Sequence, residues 1–363
     1  MLKRVLKLGR QQLWLVQREY LRKEHKLKWL LWECTLNCNF FCKHCESRSG
    51  GKSCSNIVNT DEIKKAFFDI AQNFQANEIM IGVTGGEPLL RKDLFDVMKY
   101  ASDLGFNWGM VSNGSLVSEE TISKAKKAKM KTIDISIDGI GSVHDEFRNT
   151  KGAYEKAINA VKLFVKADFL SLVRVVTTVH SKNVNRLEEM YEEFCNLGIR
   201  HWKLSNVDPS GRADCNPNIF LKKDQFIKFL SFAKKKRQED SKLRINLGCS
   251  HYLNDEFEEE VRDRFFYCAT GINIGSILYN GDIFVCPNVP RKKYLIQGNI
   301  KRDSFSEVWN NKFEIYRDKN RTTCEKCKKC DHWDKCLGGS FHTWDFEKKQ
   351  PRICFMEENL YLK

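Results

Sequence analysis

The feature that most constrains the fold is a regular alternation of short apolar runs and longer amphipathic runs between residues 27 and 207. Short apolar runs predict strands, and runs with a helical period predict helices. Six strand-then-helix units predict an α/β fold with a parallel sheet, curled into a partial (β/α)6 barrel of the TIM type. The predicted strands are 27–33, 78–83, 107–111, 132–137, 172–179 and 201–205, and the predicted helices are 60–75, 92–104, 118–129, 153–167 and 183–197.

Further regions flank this barrel. The predicted organisation is a basic N-terminal helix at 1–26, the barrel at 27–215, a bridging helical segment at 216–260 and a cysteine-rich domain at 261–363. A chain of 363 residues is long enough for one large domain and a smaller one.

Cysteine usage and charge narrow the class of protein. The chain has fifteen cysteines but no evident secretory signal and no uninterrupted apolar run of about 18 residues. Clustered cysteines in a reducing compartment indicate metal or iron–sulfur ligation, so we expect a cytoplasmic, oxygen-sensitive protein. The net charge is +14, yet no nucleic-acid module is present, and we expect no nucleic-acid partner.

Much of the positive charge lies in the N-terminal segment. Residues 1–28 contain nine Lys or Arg against two Glu. Two interpretations remain open: a helix packed on the barrel with a solvated basic rim, or a helix that lies on an anionic membrane surface or receives an acidic peptide. The apolar residues near one face of this helix are Leu2, Leu6, Leu13, Val16 and Tyr20.

The run CNFFCKHC supplies three closely spaced thiols, Cys38, Cys42 and Cys45. Three thiolates are one fewer than a closed zinc or iron–sulfur site needs. On a four-iron cube they would leave one iron free to bind a small molecule. Cys34 would complete a zinc site, so the spacing alone leaves zinc open.

Further along, the chain reads IMIGVTGGEPLLR. Together with the cysteine loop, this resembles the radical S-adenosylmethionine (SAM) superfamily, in which the loop follows the first barrel strand and GGEP ends the second. The resemblance implies a [4Fe–4S] cluster on the three cysteines, with SAM bound to the free iron. Independently, the cysteine loop and the TGGEP, SNG and SIDG runs all follow predicted strands, where such barrels carry their chemistry.

The same resemblance assigns a SAM site. Gly85 and Gly86 let a ligand approach the backbone, and the Glu87 carboxylate would pair with the SAM amino group. Arg148, whose fork matches a carboxylate, would hold the SAM carboxylate with Ser136. The remaining SAM-binding candidates are Ser112 and Asn113 in the SNG run and His44, which stands where the family usually has an aromatic residue beside the adenine.

The C-terminal cysteines resemble the SPASM extension of peptide-modifying radical SAM enzymes, which holds auxiliary iron–sulfur clusters. The spacing C-x-x-C-x5-C is met by Cys327, Cys330 and Cys336, and Cys354 would supply the fourth ligand of a closed cluster. A structural zinc would also fit four cysteines.

A second auxiliary cluster is incomplete by this pattern. Ser340 stands where the family has the next cysteine, so Cys268 and Cys286 supply only two of the four ligands that a closed cluster needs. The cluster is therefore completed by other ligands, carries an open iron, or is absent. The candidate ligands are Cys249, Cys324 and His342.

The resemblance implies reductive cleavage of SAM to a 5′-deoxyadenosyl radical, which abstracts hydrogen from a peptide or protein. With auxiliary clusters as electron acceptors, the result is an oxidative modification such as a cross-link, a dehydrogenation or a heteroatom bond. The hydrogen-abstracting species is the cofactor, so no side chain is assigned as catalytic. Two different functions stay open: a formylglycine-forming sulfatase maturase, which Pro287 after Cys286 disfavours, and a non-catalytic metal-binding adaptor.

Three passages, LLWECTLNCNFFCKHC, CATGINIGSILYNGDIFVCPN and FHTW, resemble the maturases of the rSAM/lipoprotein systems of Bacteroidetes-like bacteria. That resemblance implies a small lipoprotein partner and contact of the basic helix with the inner membrane surface. Reductive SAM cleavage also implies an external electron donor such as a flavodoxin or ferredoxin. Because about 26 residues precede the first strand, we expect no leader-peptide-binding domain before the barrel.

Overall fold

The computed structural model describes residues 2–51, 55–239, 242–248, 251–320 and 324–362, with side chains of the first helix described from residue 9 onward. Its main feature is a ten-stranded sheet in the order β10-β9-β8-β1-β2-β3-β4-β5-β6-β7. The strands are β1 (Trp29–Thr35), β2 (Met80–Gly85), β3 (Asn107–Ser112), β4 (Thr132–Ser136), β5 (Leu172–Val179), β6 (His201–Asn206), β7 (Arg244–Leu247), β8 (Ile274–Ile277), β9 (Asp282–Phe284) and β10 (Gly298–Asn299).

Helices separate the parallel strands and cover the sheet. A two-stranded antiparallel pair, β11 (Trp344–Asp345) with β12 (Gln350–Pro351), lies near the C-terminus. The helices are α1 (Leu2–Glu24), α2 (Thr60–Asn73), α3 (Leu94–Asp103), α4 (Glu119–Lys127), α5 (Ser142–Arg148), α6 (Ala153–Ala167), α7 (Leu187–Asn196), α8 (Lys223–Gln238), α9 (Glu258–Val261), α10 (Phe305–Asn311), α11 (Glu314–Arg317), α12 (Glu325–Lys328) and α13 (Trp333–Cys336).

The predicted α/β partial barrel is confirmed, and its six strands and their helices are present near the predicted positions. Local capping hydrogen bonds explain why the predicted start of α2, residue 60, agrees with the structure. Asn59 accepts a hydrogen bond from the Glu62 backbone at 2.9 Å, and the Glu62 carboxylate accepts one from the Asn59 backbone at 2.8 Å. This reciprocal cap satisfies two amides that the helix itself cannot pair, and it fixes where α2 begins.

The sheet extends beyond the six predicted strands at both edges. At one edge β7 pairs in parallel with β6. At the other edge β8, from the cysteine-rich region, pairs in parallel with β1 through Trp29↔Ile274 to Trp32↔Ile277. The short runs of the C-terminal region were too brief to reveal this pairing, which joins that region to the barrel through one continuous sheet.

Three tryptophans anchor the barrel core. Trp32, Trp108 and Trp202 are fully buried. The indole nitrogen of Trp108 donates to the Ala128 carbonyl at 2.7 Å, and that of Trp202 donates to the Thr177 hydroxyl at 2.9 Å. These bonds remove the cost of burying the indole N–H and fix the strands on which the site residues stand.

The N-terminal helix α1 packs on the C-terminal region, whereas one sequence interpretation had placed it on the barrel. The buried Arg18 donates through Nη2 to the Asp334 carbonyl at 2.6 Å, and Gln11 donates to the Asp255 carboxylate at 3.1 Å. The ring of Trp14 meets Tyr267 edge-on with centroids 5.9 Å apart. The helix therefore buries polar and charged side chains.

The opposite face of α1 is apolar and exposed. Leu13, Val16 and Tyr20 are 71%, 69% and 58% exposed, respectively. The side chains of Leu2 and Leu6, predicted on the same face, lie outside the described residues. Among the helices in the described ranges, none combines the length and apolarity needed to cross a membrane.

Candidate functional site

A cavity of about 340 Å³ opens at the C-terminal ends of the barrel strands. It gathers residues from the cysteine loop, from several strand ends and from the C-terminal region. The sequence-predicted residues that line it are Cys38, Cys42, His44, Cys45, Gly85, Gly86, Ser112, Asn113, Ser136, Arg148 and His342.

The cysteine loop is held against the barrel by Arg212, a residue that the sequence reasoning missed. Its Nε donates to the Cys42 carbonyl at 2.7 Å and its Nη1 to the Ser49 carbonyl at 2.8 Å. Its guanidinium also lies 3.9 Å above the centre of the Phe41 ring. The preceding Gly211 permits this approach, because a Cβ there would lie 2.4 Å from the Cys45 carbonyl oxygen. The only sequence signal for Arg212 is its position soon after a barrel strand.

The three thiols of this loop suit an iron–sulfur cluster. Burial raises the pKa of Cys38 to about 11 and also raises that of Cys42. Buried thiols become ligands when iron displaces their protons. Within the described ranges, no three His, Cys, Asp or Glu side chains surround a single ion position. A cube of four irons needs no such convergence, because each thiolate binds a different iron.

Gly85 and Gly86 serve the packing of the cysteine loop. A Cβ on Gly85 would lie 2.1 Å from the Thr35 carbonyl oxygen, and one on Gly86 would lie 2.1 Å from that of Asn37. Gly85 also has a φ of +137°, which L side chains rarely adopt. The two glycines therefore allow the end of β1 and the residues after it to lie close to the backbone of β2. Both glycines also line the cavity.

Glu87 lies beneath the cavity and is fully buried. Its carboxylate accepts hydrogen bonds from the Ser112 hydroxyl at 2.9 Å, the Asn113 backbone at 2.9 Å and the Leu89 backbone at 3.2 Å. Burial raises the pKa of Glu87, and these donors oppose the rise. Glu87 therefore positions Ser112 and Asn113, which line the cavity, and its pairing with the SAM amino group stays a prediction.

Arg148 is placed by Asp138. Its Nε donates to the Asp138 carboxylate at 2.6 Å, and its Nη1 lies 3.8 Å from the Cys42 sulfur. Burial alone would raise the pKa of Asp138, yet the Arg148 charge holds it at about 2. Asp138 also accepts from the Thr178 backbone at 2.7 Å. A buried carboxylate thus holds a cation between the cysteine loop and the cavity.

His44 belongs to a stack of three flat rings. It lies parallel to Phe147 with centroids 4.2 Å apart, and Phe147 lies parallel to His180 at 3.9 Å. Burial lowers the pKa of His44 to about 3, so its ring is neutral. A neutral flat ring on the cavity wall is compatible with the predicted place beside an adenine.

Five C-terminal cysteines share one neighbourhood. Burial, a hydrogen bond with Cys324, and the charges of Cys324, Cys336 and Cys354 raise the pKa of Cys327 to about 12. Cys330 in turn contributes to the raised pKa of Cys354. The four predicted ligands are therefore together, and Cys324, which the sequence had offered to the incomplete cluster, lies with them.

A further candidate for the incomplete cluster, His342, lies in the main cavity. His342 points into the main cavity, where its Nε2 lies 2.9 Å from the Asp208 carboxylate, because Ser340 and Thr343 fix the turn that carries it. Cys249 lies outside the described residues. Cys268 instead lines a second, smaller cavity together with Cys336.

Titratable groups also line the main cavity. Burial raises the pKa of Glu46 to about 7, His342 opposes the rise, and Asp208 adds to it. Lys203 and Asn288 also face this space. Residues of the cysteine loop, of the barrel and of the C-terminal region thus line the same cavity.

Comparisons with known proteins agree with this architecture. The family model of the radical SAM superfamily matches residues 32–194, and that of the SPASM iron–sulfur cluster-binding domain matches residues 268–331. These matches assign SAM, a [4Fe–4S] cluster and auxiliary iron–sulfur clusters to the chain.

Individual relatives include a heme synthase and a mycofactocin maturase. The AdoMet-dependent heme synthase of Methanosarcina barkeri is 27% identical, over 85% of this chain and 90% of its own length. The mycofactocin maturase MftC of Mycolicibacterium smegmatis is 26% identical, over 85% of this chain and 77% of its own.

Solved structures share the fold. SuiB of Streptococcus suis bound to S-adenosylmethionine superposes with a TM-score of 0.70 at 16% identity, covering 90% of this chain and 76% of SuiB. Native anSMEcpe with bound AdoMet gives 0.70 at 19% identity, covering 88% of this chain and 90% of the other. The narrower resemblance to lipoprotein-system maturases stays a prediction. The chain therefore contains a radical SAM domain, which is followed by a SPASM domain.

Proposed function

We propose that this chain is a peptide- or protein-modifying radical SAM oxidoreductase. The observation that carries the proposal is the shared construction of the main cavity. Asn288 and His342 of the C-terminal region close the space that the cysteine loop opens. A substrate segment entering there would contact both parts of the chain at once.

The chemistry divides between cofactor and protein. Bound SAM and its cluster supply a radical that removes hydrogen from an unactivated carbon. The chain's residues would bind and orient the cofactor: the three cysteines hold the iron, Arg148 supplies a positive charge, and Glu87 positions Ser112 and Asn113. The surrounding barrel keeps water from the reacting atoms.

The size of the cavity favours a single side chain as the reacting part of the substrate. About 340 Å³ is near the lower end of the roughly 300–1,000 Å³ typical of small-molecule sites, and SAM must occupy part of it. A peptide would insert one side chain and leave the rest of the segment at the mouth. The similarity to mycofactocin maturase supports the same substrate class.

Deuterium transfer tests this substrate class directly. The anaerobically reconstituted enzyme is given SAM, dithionite and the peptide fraction of deuterium-grown cells of its own organism, and 5′-deoxyadenosine is analysed by mass. Deuterium in 5′-deoxyadenosine that disappears after prior protease digestion supports a peptide substrate. Cys42→Ala is the inactive control. Transfer that survives digestion contradicts the proposal.

A second candidate function is chemistry on a tetrapyrrole. The heme synthase similarity extends over 90% of that relative, and Lys203 and Arg212 would pair with the carboxylates of such a macrocycle. The modest cavity volume argues against it. Deuterated iron-coproporphyrin III in the same assay separates the two, because only a tetrapyrrole enzyme would transfer deuterium from it.

A sulfatase maturase and a metal-binding adaptor have less support. The likeness to anSMEcpe shows the fold alone, and the position after Cys286 presents Pro287 and Asn288 instead of a carboxylate. A non-catalytic adaptor would not need a SAM site. This chain nevertheless matches the radical SAM family model, and Asp138 holds Arg148 beside the cysteine loop.

Partners of this enzyme are proposed on the same basis. Reductive cleavage of SAM needs an external one-electron donor such as a flavodoxin or ferredoxin. A small lipoprotein at the inner membrane surface is proposed as the substrate, because α1 exposes Leu13, Val16 and Tyr20 within a strongly basic segment. Sedimentation with phosphatidylglycerol vesicles but not with phosphatidylcholine vesicles, lost in Leu13→Glu, would support membrane contact. Equal sedimentation of both proteins would contradict it.

A further inference from the structure

A third cavity, of about 510 Å³, lies between α1 and the segment around the end of α9. Its walls come from α1, from the last turn of α8 and from residues 259–265. None of the described residues that line it also lines the main cavity. Its volume falls within the roughly 300–1,000 Å³ that is typical of ligand sites, so a small polar group has room there.

The charged residues of this cavity are mostly arginines. Four arginines line it against two carboxylates: Arg10, Arg237, Arg262 and Arg264 against Glu259 and Asp263. Just outside the lining, Arg262 donates to the buried Glu258 at 2.6 Å, and Arg244 donates to Asp263 at 2.8 Å. Within this set of contacts, five arginines therefore face three carboxylates, and two positive charges are left uncompensated.

Two of the lining arginines have donors to offer a ligand. Arg264 is exposed, and the described residues provide it with no hydrogen bond or ion pair. Arg10 is 71% exposed, and its Nη2 lies 3.4 Å from the Glu259 carboxylate, which is long for a hydrogen bond. A planar guanidinium can donate two parallel hydrogen bonds to a phosphate group, so open arginines suit a phosphate.

The cavity borders the exposed apolar face of α1, because Leu13 belongs to both. Val16 and Tyr20 follow three and seven residues later, so they lie on the same side of the helix, and both are exposed. Trp14 and Phe265 add apolar walls to the cavity itself. A cationic recess and an apolar stripe are therefore continuous on this surface.

A ligand that matches this surface has an anionic head and an apolar tail. Inorganic phosphate would pair with the arginines but would leave the apolar stripe in water. A zwitterionic headgroup brings its own cation, which the excess of arginines disfavours. A helix that lies in the interface of an anionic membrane buries its apolar face among acyl chains, and its basic border then lies at the depth of the headgroups.

We propose that the cavity between α1 and residues 259–265 binds the headgroup of an anionic phospholipid such as phosphatidylglycerol. Arg10 and Arg264 bind the phosphodiester, and Leu13 marks the beginning of the acyl region. The inference rests on the proposed membrane contact of α1 and adds a defined lipid site to it. It does not depend on which substrate the enzyme modifies.

The test measures sedimentation of the full-length protein with phosphatidylcholine vesicles that contain or lack phosphatidylglycerol. We expect about fivefold weaker binding to the phosphatidylglycerol vesicles in Arg10→Gln and in Arg264→Gln, and a larger loss in the double variant. Arg302→Gln is the matched control, because Arg302 is 73% exposed and does not line the cavity. An equal loss in Arg302→Gln would overturn the site.

Arg264→Lys separates a defined site from the general attraction of basic residues to an anionic surface. Lysine keeps the charge but lacks the planar fork. Weaker binding in Arg264→Lys, together with competition by soluble glycerophosphoglycerol, supports the headgroup site. Binding equal to that of the wild type in both Arg264→Lys and Arg264→Gln overturns it. Release of the vesicles by a hexaglutamate peptide but not by glycerophosphoglycerol also overturns it, since the cavity would then receive an acidic peptide.

The outcomes distinguish this site from the proposals on which it rests. A wild-type protein that does not sediment with phosphatidylglycerol vesicles overturns the membrane contact and the lipid site together. Sedimentation that is lost in Leu13→Glu but unchanged in the Arg10 and Arg264 variants overturns the lipid site alone. Deuterium transfer reports on the substrate class separately, so its result is independent of the vesicle measurements.

Discussion

The barrel site and the auxiliary site differ in how their charges are satisfied. In the barrel, two buried carboxylates have protein partners: Glu87 accepts three hydrogen bonds, and Asp138 holds Arg148. Around Cys268, Arg18 and Arg22 keep unpartnered nitrogens within the described residues. The groups that position Ser112, Asn113 and Arg148 are therefore paired within the protein, whereas the wall beside Cys268 has donors of Arg18 and Arg22 for which the described residues offer no partner.

The largest effect is expected when one of the three cysteine ligands in the barrel is removed. Cys42→Ala takes away one of three thiolates and should abolish 5′-deoxyadenosine formation and remove about four irons per chain. Iron analysis and chromatography of the reconstituted protein measure both. Auxiliary iron should remain, because the C-terminal cysteines are untouched. Loss of all iron would show that the two sites are not independent.

A smaller effect is expected from the residue that positions Arg148. Asp138→Asn keeps the shape but removes the charge that orients the guanidinium beside Cys42. Outer residues of metal sites typically contribute about 10–100-fold, so 5′-deoxyadenosine formation should fall by that amount. Asp263→Asn is the control, since Asp263 pairs with Arg237 outside the main cavity. Equal losses in both variants would deny Asp138 a specific role.

Glu87→Gln tests whether the buried carboxylate stabilises the fold or binds SAM. A Gln amide has one acceptor oxygen for three donors, so unfolding free energy should fall by about 1–3 kcal/mol. Denaturant titration of the metal-free protein measures this, and SAM binding to the reconstituted protein is measured beside it. Weaker SAM binding without lost stability would instead support the ammonium partner that the sequence suggested.

The smallest expected effect concerns the attachment of α1. Lys335, Tyr252 and Gln11 hold the pKa of Asp255 at about 2 against burial, below the ordinary 3.8. A lowered pKa means that the stabilisation is present above pH 3.8 and is lost as the pH falls toward 2. Wild type should therefore melt at a higher temperature than Asp255→Asn at pH 5, and the difference should shrink at lower pH. A constant difference would contradict this.

The sequence predicted the barrel site better than the auxiliary site for a physical reason. Barrel residues follow strand ends, so periodicity and motif order placed Cys42, Ser112 and Arg148 in one cavity. Sequence reasoning did not predict that Glu87 is buried, because an exposed and a buried carboxylate look alike in a motif. It also offered His342 as a possible cluster ligand, because only the tertiary fold reveals that His342 lies beside Asp208.

The auxiliary site was harder because its parts come from distant turns. Nothing local indicates that Arg18 reaches the turn before Cys336. The orientation of α1 was equally hidden: a pattern shows where the apolar stripe lies, but not which side meets the protein. Here α1 buries Arg18 and exposes Leu13.

The pairing of β8 with β1 bears on how this chain can be cut or engineered. Without the C-terminal region, β1 (Trp29–Thr35) would be an unpaired edge strand, and its free backbone groups could pair with strands of other molecules. Glu33 of that strand would also lose Arg291, which it binds at 2.6 Å. A barrel expressed alone should therefore aggregate. In the full chain, the SPASM domain covers the edge of the strand that leads into the cysteine loop.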